Sequence, residues 1–227
     1  MDKVNIPKTI ITMGCDIHLK LEKRKINKTY YTHQNFHPDG TITEEIRETP
    51  EFKTSRDWHP VCLTWKGDRV YGMFAKLADV RNYFQQKIEP IQLRGFPEDA
   101  TDDTKQAYCY IVIPDDEYKE REDYYEYSYL YHYINESRAN EWVNDGSSKE
   151  MTPFGNIEQR KITDPDAHSP NWCTTQEMED AIKEIFWKEE IQQYVGDYIE
   201  WLALLGAMKG IEQNGAYECR AVYWFDN

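Results

Sequence analysis

No apolar run in this chain reaches the roughly 18 residues that a membrane-spanning helix needs. The first residues hold no apolar stretch of the signal-peptide kind. The densest basic stretch is "EKRK" at Glu22 to Lys25, which reads as a solvated strand end rather than a phosphate track. Lys and Arg number 27 against 41 Asp and Glu, a net charge of -14. Such a field repels nucleic acid and anionic membranes. The five cysteines, Cys15, Cys62, Cys109, Cys173 and Cys219, include no CxxC pair. An odd, widely spaced set excludes a disulfide framework and points to reduced, buried thiols in a cytoplasmic setting. There are no internal repeats and no Gly/Ser linker long enough to divide the chain. The 227 residues are therefore expected to form one α+β domain spanning 1–227.

What is present is a real core and a wet surface. Hydrophobic residues make up 40% and include seven Trp, enough to bury without help from a metal or disulfide. The first strand runs from about Ile10 to Arg24. "HPDG" at His37 to Gly40 marks a turn between two strand-like runs. His33 and His37 have a metal-like spacing but no Cys pair nearby, so a solvent-facing hairpin is the better reading. "GDRVYGMFAKLADVRNYF" reads as a helix with Asp68 as N-cap. A loop broken by Pro90, Gly95 and Pro97 follows, then the strand "AYCYIVI". Residues 107–160 read as a peripheral insertion, dense in Tyr and acid. Tyr125, Tyr127, Tyr129, Tyr131 and Tyr133 alternate, yet their flanks favour helix. An aromatic ladder could stack single-stranded nucleic acid, but acidic flanks oppose that and favour packing. Thr174 and Glu177 form a capping box, which places "HSPNW" at the mouth of a helix, where anions are favoured. A further helix covers about Asp197 to Gln213. "YECRAVYWFDN" is a last strand, expected in one sheet with the first, with helices packed on that mixed or antiparallel sheet.

The stretch "MGCDIHLKLE" raises the functional question. As a strand it places Cys15, Ile17, Leu19 and Leu21 on one face and Asp16, His18, Lys20 and Glu22 on the other. That polar row either faces water or lines a site. The Cα atoms of Asp16 and His18 are about 6.6 Å apart, close enough to share a divalent metal or to flank one substrate atom as acid and base. Arg94, on a Gly-Pro loop, suits bidentate contact to a phosphate or carboxylate, or braces its loop against Asp99. Trp172 is either core or a stacking wall for a base. Ser169 beside His168 could be a nucleophile, although adjacent side chains seldom aim at each other and a cap is the plainer role.

The blocks "MGCDIHLKLEKR", "FAKLADVRNY", "RGFPED", "HSPNWCT" and "WFDN", in this order, resemble a family of uncharacterised proteins of bacteria, tailed phages and other viruses. This chain departs from the pattern in twelve residues before Met13, in its Tyr-rich segment, and in Asn171 and Cys173 where the family has Ser and Leu. The Met13 opening lacks the Ser or Thr that myristoylation requires, since His18 stands there. The resemblance implies positions: Asp16, His18 and His168 as catalytic candidates, with Arg81, Asn82, Arg94, Asp99, Ser169, Trp172 and Asp226 around a ligand. "CDIHL" is also similar to the first motif of calcineurin-type metallophosphoesterases, but two of that class's four motifs are missing.

The expected function is hydrolase-like chemistry on a small phosphate-bearing or nucleotide-like substrate, in the cytoplasm, or the host cytoplasm for a viral protein. The cofactor would be a divalent metal if Asp16 and His18 hold one. Two alternatives stand: a non-catalytic protein that sequesters a nucleotide-type ligand or a host protein, and a structural or virion-associated protein. The partners expected are a small anionic ligand and, through the acidic Tyr-rich segment, a protein. Nucleic acid and membranes are not expected.

Overall fold

The computed structural model describes residues 15–27, 30–48, 53–54, 57–63, 65, 69–83, 87–128, 131–187 and 198–226. The chain begins with β1 (Asp16–Asn27), β2 (Tyr30–Phe36), β3 (Ile42–Glu48), β4 (Lys53–Thr54) and β5 (His59–Val61), followed by α1 (Tyr71–Ala78) and α2 (Asp102–Ala107). Next come β6 (Cys109–Ile113), α3 (Asp115–Glu120), α4 (Glu122–Glu126), β7 (Tyr133–Asn135), α5 (Glu136–Asp145) and β8 (Lys161–Thr163). It closes with β9 (His168–Thr174), α6 (Thr175–Trp187), α7 (Ile199–Glu212) and β10 (Tyr217–Asp226). The class is α+β.

The first and last strands are neighbours in one sheet, ordered β4-β1-β10-β9, with β5 also paired to β1. β1 and β10 run antiparallel in register from Asp16 opposite Asp226 to Lys25 opposite Tyr217. The odd-numbered row of β10 (Cys219, Ala221, Tyr223, Phe225) and Cys15 and Leu21 of β1 join the main core with α1, α6 and α7. Phe74, Leu77, Met178, Ile182, Trp201 and Leu204 fill it from the helices.

The even-numbered row of β10 is buried too: Arg220, Val222 and Trp224 are all covered. Trp58, the 94–101 loop and Tyr108 form the covering layer. Tyr108 packs edge-on to Trp224 at 5.3 Å and stacks on Phe96 at 4.3 Å. A strand buried on both faces reads as a continuous apolar run, and "AVYWF" is one. The polar row of β1 is divided: Asp16, His18 and Lys20 are exposed, whereas Glu22, at its far end, is fully buried.

Several expectations are corrected. Residues His168–Thr174 form strand β9, not the mouth of a helix. A proline is tolerated there because β9 pairs on one side only and bulges at Ser169-Pro170, opposite Trp224. The capping box does form: Glu177 N–H donates to Thr174 Oγ1 at 3.2 Å, and Thr174 N–H to Glu177 Oε2 at 2.9 Å. It begins α6 only after His168 has passed. Helix α1 ends at Ala78 because Asp79 (φ 58°) and Arg81 (φ 55°) turn left-handed. Its expected cap, Asp68, and Phe84 lie outside the described residues, and Val70 is the N-cap.

The Tyr-rich segment is not one helix. It divides into α4 and the strand β7, with Tyr129 outside the described residues. β7 runs parallel to β6, and β8 pairs antiparallel on the other side of β6, through Thr163. This small sheet has its own apolar clusters, one around Ile111, Ile113 and Tyr125 and one around Val112, Ala139 and Ile162. Its tyrosines pack on one another, Tyr118 on Tyr125 at 5.5 Å and Tyr125 on Tyr133 at 4.7 Å. The "HPDG" turn joins β2 to β3, with Gly40 at φ 83°, a conformation that favours glycine.

Candidate functional site

Residues from four of the sequence blocks, "MGCDIH", "VRN", "HSPNW" and "FDN", meet at one end of the main sheet. Register opposes Asp16 to Asp226, two like charges that repel when nothing intervenes. Two contacts offset that repulsion. Arg69 grips Asp16 through Nε at 2.5 Å and Nη2 at 3.0 Å. His18 Nε2 lies 2.8 Å from Asp226 Oδ2, while Asp226 Oδ1 accepts the Asp16 backbone N–H at 3.2 Å. The Arg69 hydrogen bonds hold the Asp16 carboxyl below the usual range.

An ionised carboxylate only accepts, so the proton of a neutral His18 sits on Nε2 and leaves Nδ1 as the basic nitrogen. The imidazole is stacked on Trp224, centroids 5.6 Å apart and planes 9° from parallel. The ring is thus fixed by packing on one side and by a carboxylate on its edge, while about half of the side chain remains exposed (48%). Asp164, half-buried after β8, has its carboxyl pKa raised by burial.

The two ends of α1 supply cations to the same corner. Arg69 precedes the helix, and Arg81 follows it to hydrogen-bond the Cys15 side chain. Cys15 is no activated nucleophile, because burial raises its thiol pKa despite Arg81. Cys109 and Cys219 are pushed up to about 12 by burial, and Cys173 is raised as well.

His168 is at the same end but on the other face. It pairs with Phe225 and stacks on that ring at 6.1 Å, toward the helices. Its Nδ1 lies 3.1 Å from Ser169 Oγ. These adjacent side chains meet because Ser169 takes a left-handed φ of 48° in the bulge. Asp79, Arg81 and Ser169 are the non-glycine residues with positive φ among the described residues. Arg81 and Ser169 flank this corner, and such strain clusters at functional sites.

The other candidates stand elsewhere. Arg94 pairs bidentately with Glu177, not with Asp99; it also donates to the Trp172 carbonyl at 3.0 Å and lies over the Trp172 ring at 4.5 Å. Arg94 is thus engaged with Glu177 and Trp172, whereas Asp16, His18 and His168 stand at the Asp226 end of the sheet. Asn82 is a loop staple: its amide nitrogen donates to Asp79 Oδ1 and the Ile88 carbonyl, both at 2.8 Å, and its oxygen accepts Ile88 N–H at 3.1 Å. Asp99 accepts from Arg220 Nη1 at 2.8 Å and Trp58 Nε1 at 3.0 Å. Burial raises its carboxyl pKa, but these bonds and the arginine charges outweigh burial and leave it below the usual range.

Among the described residues, no group of three or more His, Cys, Asp or Glu side chains is arranged to hold a metal ion. Both oxygens of Asp16 accept from Arg69, and His18 Nε2 faces Asp226 rather than Asp16. No described helix is long and apolar enough to cross a membrane.

Sequence reasoning missed Arg69, Arg220 and Trp224, and the pairing of Glu177 with Arg94. Arg220 carried a signal. Once β1 and β10 are paired, Arg220 falls opposite Glu22 and Glu218 opposite Arg24, opposite charges in register. Arg69, 53 positions from Asp16, leaves no local trace. No family model, curated protein or solved structure matches the chain.

Proposed function

We propose that the chain is an enzyme of hydrolase type, acting on a small phosphate-bearing or nucleotide-like substrate through His18 and Asp226. The observation that carries this reading is the 2.8 Å His18–Asp226 contact on two paired strands. A carboxylate on one ring nitrogen orients the imidazole and stabilises it when it takes a proton on the other. Nδ1 of His18 is then the general base. Arg69 and Arg81 supply the positive charge that an anionic substrate needs beside two carboxylates. Asp16 is the residue that positions Arg69.

The Ser169–His168 contact supports a second arrangement, in which Ser169 is the nucleophile and His168 its base. One experiment separates the two. The purified protein is screened for turnover against phosphomonoesters, phosphodiesters, nucleotides and carboxylic esters, beside the His18→Ala, Asp226→Asn and Ser169→Ala variants. The proposal expects turnover of a phosphate-bearing substrate, lost by about 10²-fold or more in His18→Ala, and retained in Ser169→Ala. Loss in Ser169→Ala with covalent labelling by a fluorophosphonate selects the second arrangement. A ligand that binds at this end of the sheet without turnover under any condition sinks both.

A further inference from the structure

A second opening lies on the polar face of the main sheet and shares no residue with the His18–Asp226 pair. It is a pocket of about 330 Å³ whose walls include the indoles of Trp58 and Trp172. Arg24, Arg220, Asp99 and Glu218 supply its charged groups. The volume falls at the small end of the range for small-molecule sites, about 300–1,000 Å³. We propose that this pocket binds an uncharged planar heterocycle of the nucleobase type.

The argument starts from charge. Two guanidinium groups and two carboxylates line the opening, and all four are paired. Arg24 pairs with Glu218, and Arg220 with Asp99 at 2.8 Å and with buried Glu22 at 2.7 Å. A phosphate entering here finds no uncommitted cation, and a cation finds no uncommitted acid. The lining selects against net charge.

Shape comes next. The Arg220 guanidinium sits 3.9 Å from the Trp58 ring centroid and 5.5 Å from that of Trp172. Arg24 and Arg94 extend this series, at 4.5 Å from Trp58 and Trp172 respectively. The guanidiniums over Trp58 and Trp172 hold both indoles in place, and a fixed opening between two indoles favours a flat ligand. Hydrogen bonding finishes the selection. Asp99 stays half exposed (54%) with each oxygen accepting one described bond, so each keeps a lone pair for a ligand N–H. Arg24 is a donor at the same opening. A heterocycle with both donors and acceptors on its edge matches that rim.

The test uses the full chain and four neutral probes: adenosine, guanosine, cytidine and uridine. Inorganic phosphate is the charge control. Titrations are read by calorimetry and by the indole N–H resonance of Trp58, assigned with Trp58→Phe. The expected result is binding of at least one nucleoside at concentrations up to about 1 mM, with a shift of the Trp58 resonance. Affinity should fall about tenfold or more in Trp172→Leu, and hold in His18→Ala. The idea is overturned if no nucleoside moves that resonance, if phosphate alone does so comparably, if Trp172→Leu binds normally, or if His18→Ala abolishes binding. Should Trp172→Leu not fold, the wild-type resonance decides alone. Because His18 is outside the pocket, binding without turnover would support this site and leave the fate of the catalytic reading to its own screen.

Discussion

Arg220→Met isolates the buried network under the main sheet. Arg220 is 3% exposed and Glu22 0%. The substitution keeps an apolar stem and removes the guanidinium, which takes from Glu22 a donor at 2.8 Å. Glu22 is left with one described bond, the Thr101 backbone N–H at 2.6 Å. Breaking a buried pair from one side costs about 3–5 kcal/mol, because the survivor is left charged and uncompensated. Losing the guanidinium from the Trp58 ring at 3.9 Å adds about 1 kcal/mol. Asp99 adds little, being half exposed. The single variant should therefore lose about 4–6 kcal/mol, which at about 2–4 °C per kcal/mol lowers Tm by roughly 8–24 °C.

The double variant Glu22→Leu/Arg220→Met removes both buried charges, and takes their partners from the Thr101 amide and from Asp99 Oδ1 and the Asp99 carbonyl. Such replacements are often near neutral, so the double should lose less than Arg220→Met alone. Urea unfolding of the four proteins closes the cycle. A coupling of about 2 kcal/mol or more is expected between contacting groups of this kind. If Arg220→Met costs under about 1 kcal/mol, or if the two single losses simply add, the network is not the buried charged element described above.

Three further outcomes follow from other parts of the fold. Burial raises the Glu177 carboxyl pKa, but hydrogen bonds from Arg94 and Thr174 bring it below the ordinary range, so its contribution is present above about pH 4–5 and lost as pH falls through the lowered folded value; urea unfolding should show Glu177→Gln about 1–2 kcal/mol less stable than wild type near neutrality, a gap that closes in acid, whereas a gap independent of pH would refute the assignment. Ser169→Gly relieves a left-handed φ of 48° at the cost of a freer unfolded chain, so thermal unfolding should place it within about 1 kcal/mol of wild type, on the stable side; a larger loss would show that the serine side chain, not the backbone, holds the bulge. Replacing Tyr118–Gly146 by a short Gly/Ser linker removes the second half of α3 with α4, β7 and α5 but no residue of the main core, so cooperative unfolding followed by circular dichroism should persist, and its loss would make the segment part of the core.

What could be read from the sequence tracks how local each cause is. The β1–β10 pairing was legible because each strand carries an apolar row at every second residue, and the α6 cap because Thr174 and Glu177 sit three residues apart. Strand β9 was hidden by Ser169-Pro170, which looks like a loop until its bulge and one-sided pairing are known. The Tyr row misled in another way: period two and helix-friendly flanks compete within one segment, and tertiary packing divides it between α4 and β7. Apart from Asn82, which staples its own loop, the candidate residues fall into two groups. Asp16, His18, Arg81, His168, Ser169 and Asp226 stand at the end of the sheet, and Arg94, Asp99 and Trp172 at or beside the Trp-lined pocket.

The polar row of "CDIHLKLE" shows why that division could not be seen in one strand. Asp16, His18, Glu22 and, two residues on, Arg24 take partners distant in sequence: Arg69, Asp226, Arg220 and Glu218. Three of those partners lie on β10, within two positions of the opposed residue, so they follow from the register once the pairing is known. A one-residue slip would move these three to the apolar face and bury them without partners. Charge complementarity on this face and apolar packing on the other therefore select the same register. That agreement fixes the two strands rigidly enough to hold an imidazole against a carboxylate at one end of the row and a buried guanidinium against Glu22 near the other.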